Sequence, residues 1–79
     1  MTLIKVIIPA FNEEDSIGLV IKDIPNHVDE IIVVNNNSSD QTEARAQEAG
    51  AVVLRENRPG YGLACLKGMQ YIAAQEQKP

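Results

Sequence analysis

The sequence predicts an α/β fold, a parallel sheet assembled in the order β-α-β-α-β-α. Three apolar, β-branched runs, at 3–8, 30–34 and 51–54, alternate with stretches of helical periodicity. The runs are nearly continuous rather than alternating in polarity, the pattern of strands covered on both faces. Each run gives way to a polar or glycine-containing turn, and alternating elements of this kind imply right-handed crossovers between parallel strands.

The first strand is predicted over Leu3 to Ile8, with Pro9 ending the run. Asn12 offers an N-cap, and Glu13, Glu14 and Asp15 follow in what would be the first helical turn, where the helix dipole favours acids. Ile17, Val20, Ile21 and Ile24 recur at helical spacing and form one predicted core face. Pro25 stops that helix. Glu30 to Val34 is the second strand, and it runs into Asn35-Asn36-Asn37-Ser38-Ser39-Asp40, all turn-forming or capping residues. Ser38, Ser39 or Asp40 can cap a second helix over Gln41 to Ala49, with Thr42, Ala46 and Ala49 inward and Gly50 as the residue past its end. Ala51 to Leu54 is the third strand. Arg55 to Gly60 is a polar loop, and the third helix covers Gly62 to Gln75, with Leu66, Met69 and Ala73 on one side. The last residues, 76–79, look like the approach to another strand.

Composition narrows the function classes. The chain has 79 residues, a net charge of −4 and no basic run, so a nucleic-acid groove, which needs clustered Lys and Arg, is not expected. Cys65 is the single cysteine, which excludes an internal disulfide and a Cys-based zinc cluster. The apolar start is too short for a membrane span and lacks the basic flank of a signal peptide. A cytosolic setting is expected. His27 has no second ligand candidate near it and reads as a loop residue.

In a parallel sheet the strand C-terminal ends share one edge, where ligands bind. The segments 9–13, 35–38 and 56–62 meet there. Neither a G-x-G-x-x-G turn nor a G-x-x-x-x-G-K-[ST] loop occurs. Acids at the first helix start repel a diphosphate, whereas the aromatic Phe11 can stack on a base and the carboxylates and amides can meet hydroxyls and ring nitrogens. Arg58 and the helix starting near Gly62 suit phosphate better. Phe11 as a staple on the first helix is the structural alternative, and Tyr61, between two glycines, is open between lining the site and packing.

The segment Val6-Ile7-Ile8-Pro9-Ala10-Phe11-Asn12-Glu13-Glu14 resembles the opening strand and turn of family 2 glycosyltransferases, where P-A-[YF]-N-E-E is common. Residues 30–42 resemble that family's second strand and turn, and Gly60-Tyr61-Gly62 with Gly68 match in order and spacing. Within the family, dolichyl- and undecaprenyl-phosphate sugar transferases and related cell-envelope enzymes are the most similar. The resemblance implies the Rossmann-like N-terminal half of a GT-A fold, with residues 1–79 forming the first part of a catalytic domain. It implies an inverting enzyme moving a sugar from a nucleotide-diphosphate donor to an acceptor such as a polyprenyl phosphate or glycan, in the cytoplasm at the inner face of the membrane. By motif, Pro9, Phe11 and Glu13 would contact base and ribose, Val34 and Asn36 would line the base pocket, and Arg58 and Gly60 would lie near phosphates or sugar. The family often has Asp where this chain has Asn35 and Asn36, and Tyr where it has Phe11.

The family also holds a divalent metal, Mg²⁺ or Mn²⁺, with a D-x-D motif after a fourth strand. This chain has no D-x-D, so it is expected to be inactive alone and to bind no metal by itself. In the family the first strand is central. The 3–8 strand is therefore expected to present an open edge and to self-associate through it. The competing reading is a stand-alone α/β nucleotide-binding or regulatory module using the same edge.

Overall fold

The computed structural model describes residues 3–76; the expected approach to a further strand beyond Glu76 lies outside them. The element order is β1 Lys5–Ala10, α1 Ile17–Lys22, β2 Glu30–Asn35, α2 Thr42–Glu48, β3 Val52–Arg55 and α3 Tyr61–Glu76. The three strands form one parallel sheet in the order β1-β2-β3. Pro9 pairs in register with Val34 and Ala10 with Asn35. The α/β alternation expected from the sequence is therefore present.

β1 extends two residues further than expected, through Pro9, and its hydrogen-bond alternation explains why. The Ile4 carbonyl accepts from Asp29 N–H (2.7 Å) and the Ala10 carbonyl from Asn36 N–H (2.8 Å). Even-numbered residues thus turn their backbone groups toward β2, and odd-numbered ones turn theirs to the open side. Proline at position 9 forfeits only a donor that would have faced the open side, so the strand continues past it.

The sheet separates two apolar layers. On one face Ala10, Ile17, Ile21, Val33 and Ala46 are buried together, which seats α1 and α2. On the other, Ile32, Val34 and Ala64 are buried, with Ile7, Leu54, Tyr71 and Ile72 packed against them under α3. The inward residues of α2 are Thr42 and Ala46, as its spacing predicts, and Gly50 takes φ +97° past the helix end.

Two helical faces differ from expectation. In α1, Ile17 and Ile21 are buried but Val20 is exposed; the helix spans a turn and a half, so only the i, i+4 pair reaches the sheet. In α3 the small residues face inward: Ala64 and Gly68 are buried, while Leu66 and Met69 are exposed. Close approach explains it. A Cβ on Gly68 would stand 2.7 Å from Ile7 Cγ2. At the far end of α3, Lys5 Nζ donates to Gln75 Oε1 (2.7 Å), Gln75 donates to the Tyr71 hydroxyl (3.0 Å), and Lys5 lies 3.7 Å from Glu30. Burial, with Glu30 beside it, pushes the Tyr71 hydroxyl pKa up. α3 therefore runs from the C-terminal ends of the strands back to their N-terminal ends.

Candidate functional site

The segments following β1 and β2 are fastened to each other by side-chain-to-backbone hydrogen bonds. Asn12 N–H donates to Ser38 Oγ (2.9 Å), and Ser39 N–H donates to Asn12 Oδ1 (2.8 Å). Glu13 N–H donates to Thr42 Oγ1 (2.8 Å), Glu14 N–H to Asp40 Oδ2 (3.3 Å), and Gln41 N–H to Glu14 Oε2 (3.0 Å). Asn12 is not the helix cap that its position suggests. It sits at φ +50°, a left-handed conformation that Asn tolerates better than most residues, and α1 starts only at Ile17 with no acid in its first turn. Asp40 accepts from both the hydroxyl and the N–H of Thr42, at the start of α2. Those bonds, the hydroxyl foremost, hold its carboxyl below the usual range. Glu14 and Asp40 are thus spent on joining two loops.

The third segment is held from within and from β2. Arg58 donates through Nε (3.0 Å), Nη2 (2.9 Å) and its backbone N–H (3.1 Å) to the Glu56 carboxylate. The Arg58 side-chain bonds drive the Glu56 pKa down to about 2. Asn36, 4% exposed, reaches across from the end of β2. Its Nδ2 donates to the carbonyls of Glu56 (3.0 Å) and Arg58 (2.8 Å), and its Oδ1 accepts from Gly60 N–H (3.0 Å). Gly60 takes φ +125° there, a region closed to most side chains.

Between these loops lies a cavity of about 230 Å³ lined by Phe11, Asn36, Pro59, Gly60 and Tyr61. Both aromatic rings are about half exposed, Phe11 at 48% and Tyr61 at 57%. Exposed aromatic faces beside polar backbone are what a planar base or a sugar ring requires. Beside it, on the α2 side of the sheet, a polar cleft contains Asn35, Ser38 and Asn57. There Arg55 makes two bonds to Glu43 (2.7 and 2.6 Å), which lower the Glu43 pKa. A further cleft of about 300 Å³ between α1 and α2 is walled by Leu19, Lys22, Arg45 and Glu48, with Glu14 and Asp15 of the segment after β1.

The site residues expected from the sequence divide accordingly. Phe11, Asn36 and Gly60 line one cavity. Pro9 is half-buried in β1, and Glu13 is half-buried with its carbonyl starting the helical turn toward Ile17. Val34 departs from expectation: it is fully buried with Ile32 and Ala64 beneath α3. Strand alternation sends Val34 and Asn36 to the same face, and only the latter is far enough along to reach the cavity. The exposed Arg58 guanidinium is engaged by Glu56 rather than free. Of the two roles that the sequence leaves open for Tyr61, between two glycines, the structure places it in the cavity lining; the role of Glu56 in holding Arg58 has no signal in the sequence. Among the described residues no group of three His, Cys, Asp or Glu side chains could hold a metal ion. These residues therefore do not fit the divalent centre that the resemblance implies, and no described helix is long and apolar enough to cross a membrane.

The sequence and the fold have counterparts among known proteins. The sequence model of glycosyl transferase family 2 matches residues 5–75. A glucosyl-3-phosphoglycerate synthase of Mycolicibacterium paratuberculosis is 45% identical over 78 aligned positions, covering 84% of this chain and 24% of that protein. An uncharacterized glycosyltransferase of Mycobacterium tuberculosis is 42% identical over 66 positions, covering 84% of this chain and 30% of that protein. The crystal structure of the Mycobacterium tuberculosis glucosyl-3-phosphoglycerate synthase with Mn²⁺, UDP-glucose and glycerol 3-phosphate superposes with a TM-score of 0.77 at 38% identity, over 85% of this chain and 28% of that one. The chain thus spans less than a third of the length of these relatives. With the family model matched along nearly all of the sequence and the same fold in a solved relative, the chain belongs to glycosyl transferase family 2 and has the GT-A type of fold.

Proposed function

We propose that this chain is the nucleotide-binding part of a glycosyltransferase that uses a uridine-diphosphate sugar, with UDP-glucose, the sugar nucleotide present in the structure of a relative, as the donor, and passes the sugar to a small phosphorylated acceptor. The observation that carries this reading is the pair of half-exposed rings, Phe11 and Tyr61, around one cavity at the C-terminal edge of a parallel sheet. A uracil stacked on Phe11 would gain the dispersion and desolvation of a flat contact. The Glu13 carboxylate suits ribose hydroxyls. The diphosphate fits the first turn of α3, a 16-residue helix whose leading N–H groups carry the positive end of its dipole. Arg58 stands nearby with its charge partly offset by Glu56.

The polyprenyl phosphate expected from the sequence finds no support among these relatives. Glycerol 3-phosphate accompanies UDP-glucose in one of their structures, which favours a phosphorylated small molecule. Mn²⁺ accompanies the nucleotide there as well, and in the whole enzyme we assign its ligands to residues other than those described here.

Titration of the ¹⁵N-labelled chain with UDP tests the reading. Saturable shifts at Phe11, Gly60 and Tyr61 are expected, together with a loss of roughly tenfold or more in affinity for Phe11→Ala, the size of a base–aromatic stack. Absence of saturable binding, or shifts centred on the α1–α2 cleft, would overturn it.

A further inference from the structure

We propose that Asn36 is a positioning residue: its side-chain amide holds the Glu56–Gly60 loop in the shape that forms the nucleotide cavity, and it contributes to binding through that loop. The inference rests on the nucleotide reading above and goes beyond it, because it assigns Asn36 a different task from touching the base.

The hydrogen-bond inventory carries the argument. A primary amide has two N–H donors and one carbonyl oxygen. Both donors of Asn36 are used, on the carbonyls of Glu56 and Arg58, and the oxygen accepts from Gly60 N–H. The three partners lie within five consecutive residues of one loop. Asn36 itself is 4% exposed, whereas Asn57, Arg58, Pro59 and Gly60 are exposed. A buried side chain therefore ties down an otherwise solvated loop at three points. Its own backbone is fixed at the other end, since Asn36 N–H donates to the Ala10 carbonyl at the end of β1. The amide thus links β1, which leads into Phe11, to the loop that carries Pro59 and Gly60 and leads into Tyr61. These are the walls of the cavity.

Only an amide satisfies this arrangement. An ionised carboxylate at position 36 would point an acceptor at two backbone carbonyls and keep only the Gly60 bond. A protonated carboxyl would regain one donor. The substitution Asn36→Asp, almost identical in shape, should therefore behave differently with pH. The charged groups around the position are Glu56 and Arg58 in the loop, and Lys67 on α3, whose charge reaches Glu56. Glu56 titrates near 2 and stays ionised throughout a pH 5–8 experiment, as does Arg58, whose pKa the Glu56 carboxylate raises further.

The test has two independent readouts. In the nucleotide-free chain at pH 8, amide exchange at Arg58 should be at least tenfold faster in Asn36→Asp than in the wild type, and exchange at Gly60, whose bond the carboxylate keeps but the shorter serine does not, at least tenfold faster in Asn36→Ser, with core amides at Ile32 and Val33 still protected in both. UDP affinity should fall roughly tenfold at pH 8, and the ratio of wild-type to variant affinity should shrink as the pH drops to 5. Asn36→Ser, which keeps one donor and no charge, should be weakened at every pH with no such trend. Unchanged exchange at Arg58 in Asn36→Asp, or at Gly60 in Asn36→Ser, would overturn the loop assignment. Faster exchange with unchanged UDP affinity would overturn the link to binding. A wild-type chain that binds no UDP, yet shows the exchange difference, would sink the nucleotide reading while leaving the loop assignment standing.

Discussion

Glu56 keeps its charge far into acid because three donors from one residue, Arg58, converge on its carboxylate. The folded value of about 2 lies below the ordinary 4.5, so the ionised form is the one the fold favours. The stability this contributes is fully present above about pH 4.5 and is lost as the pH falls toward 2. A ¹³C titration of the Glu56 carboxyl should show a midpoint near 2, moving back toward 4.5 in Arg58→Ala. A wild-type midpoint near 4.5 would show that the pair does not form in solution. The segment around Glu56 was readable in the sequence only as a polar loop, because the pair it makes is two residues away and has no periodic signature. Asn12 illustrates the same limit. Its type and position suit an N-cap, yet the partners that decide its role, Ser38 and Ser39, come from the turn after another strand. Residue type announced that these positions were polar and turn-forming; the pairing between loops required the third dimension.

At the scale of elements, the strands and their order were legible because buried parallel strands have a strong one-dimensional signal. The facing of α3 was not. Reading Leu66, Met69 and Ala73 as the packed side follows from their size, but the helix lies too close to the sheet for them, and Ala64 and Gly68 occupy the contact. The glycine at position 68 is therefore a packing residue. Gly68→Ala gains about 1 kcal/mol of helix propensity, while overpacking costs roughly 1–3 kcal/mol. The atom it meets, Ile7 Cγ2 at 2.7 Å, belongs to a stiff β-branched side chain and cannot swing aside. A net loss of about 1 kcal/mol is expected, a fall of some 4–8 °C in Tm for a domain of this size. In an Ile7→Ala background the same substitution should become neutral or stabilising. Equal effects in both backgrounds would mean that α3 sits farther from β1 than described. Pro9 belongs at this scale too: a proline that reads as a terminator is tolerated inside β1 because its missing donor faces away from β2.

For the whole molecule, the question is what lies against the open side of β1. The sheet order puts β1 at one end, and the alternation that points Ile4 and Ala10 at β2 leaves the N–H and C=O groups of Lys5 and Ile7, and the Pro9 carbonyl, without a strand partner among the described residues. α3 crosses beneath the sheet to pack on β1 and ends beside Lys5. Leu3 and Ile4, at its start, are 59% and 43% exposed. An apolar, regular edge of this kind is a template for strand addition, and Pro9 limits the useful length to the Lys5–Ile7 end, where donors remain. The 79-residue chain is therefore expected to self-associate through β1. Light scattering coupled to gel filtration should give a mass that rises with concentration, and amide exchange at Lys5 and Ile7 should slow in step with it, while exchange at the β2-facing amides of Val6 and Ile8 stays the same. Concentration-independent monomer mass, with fast exchange at Lys5 and Ile7, would show that the edge remains solvated. Association without added protection at those two amides would move the contact elsewhere, to the exposed Leu66 and Met69 on α3.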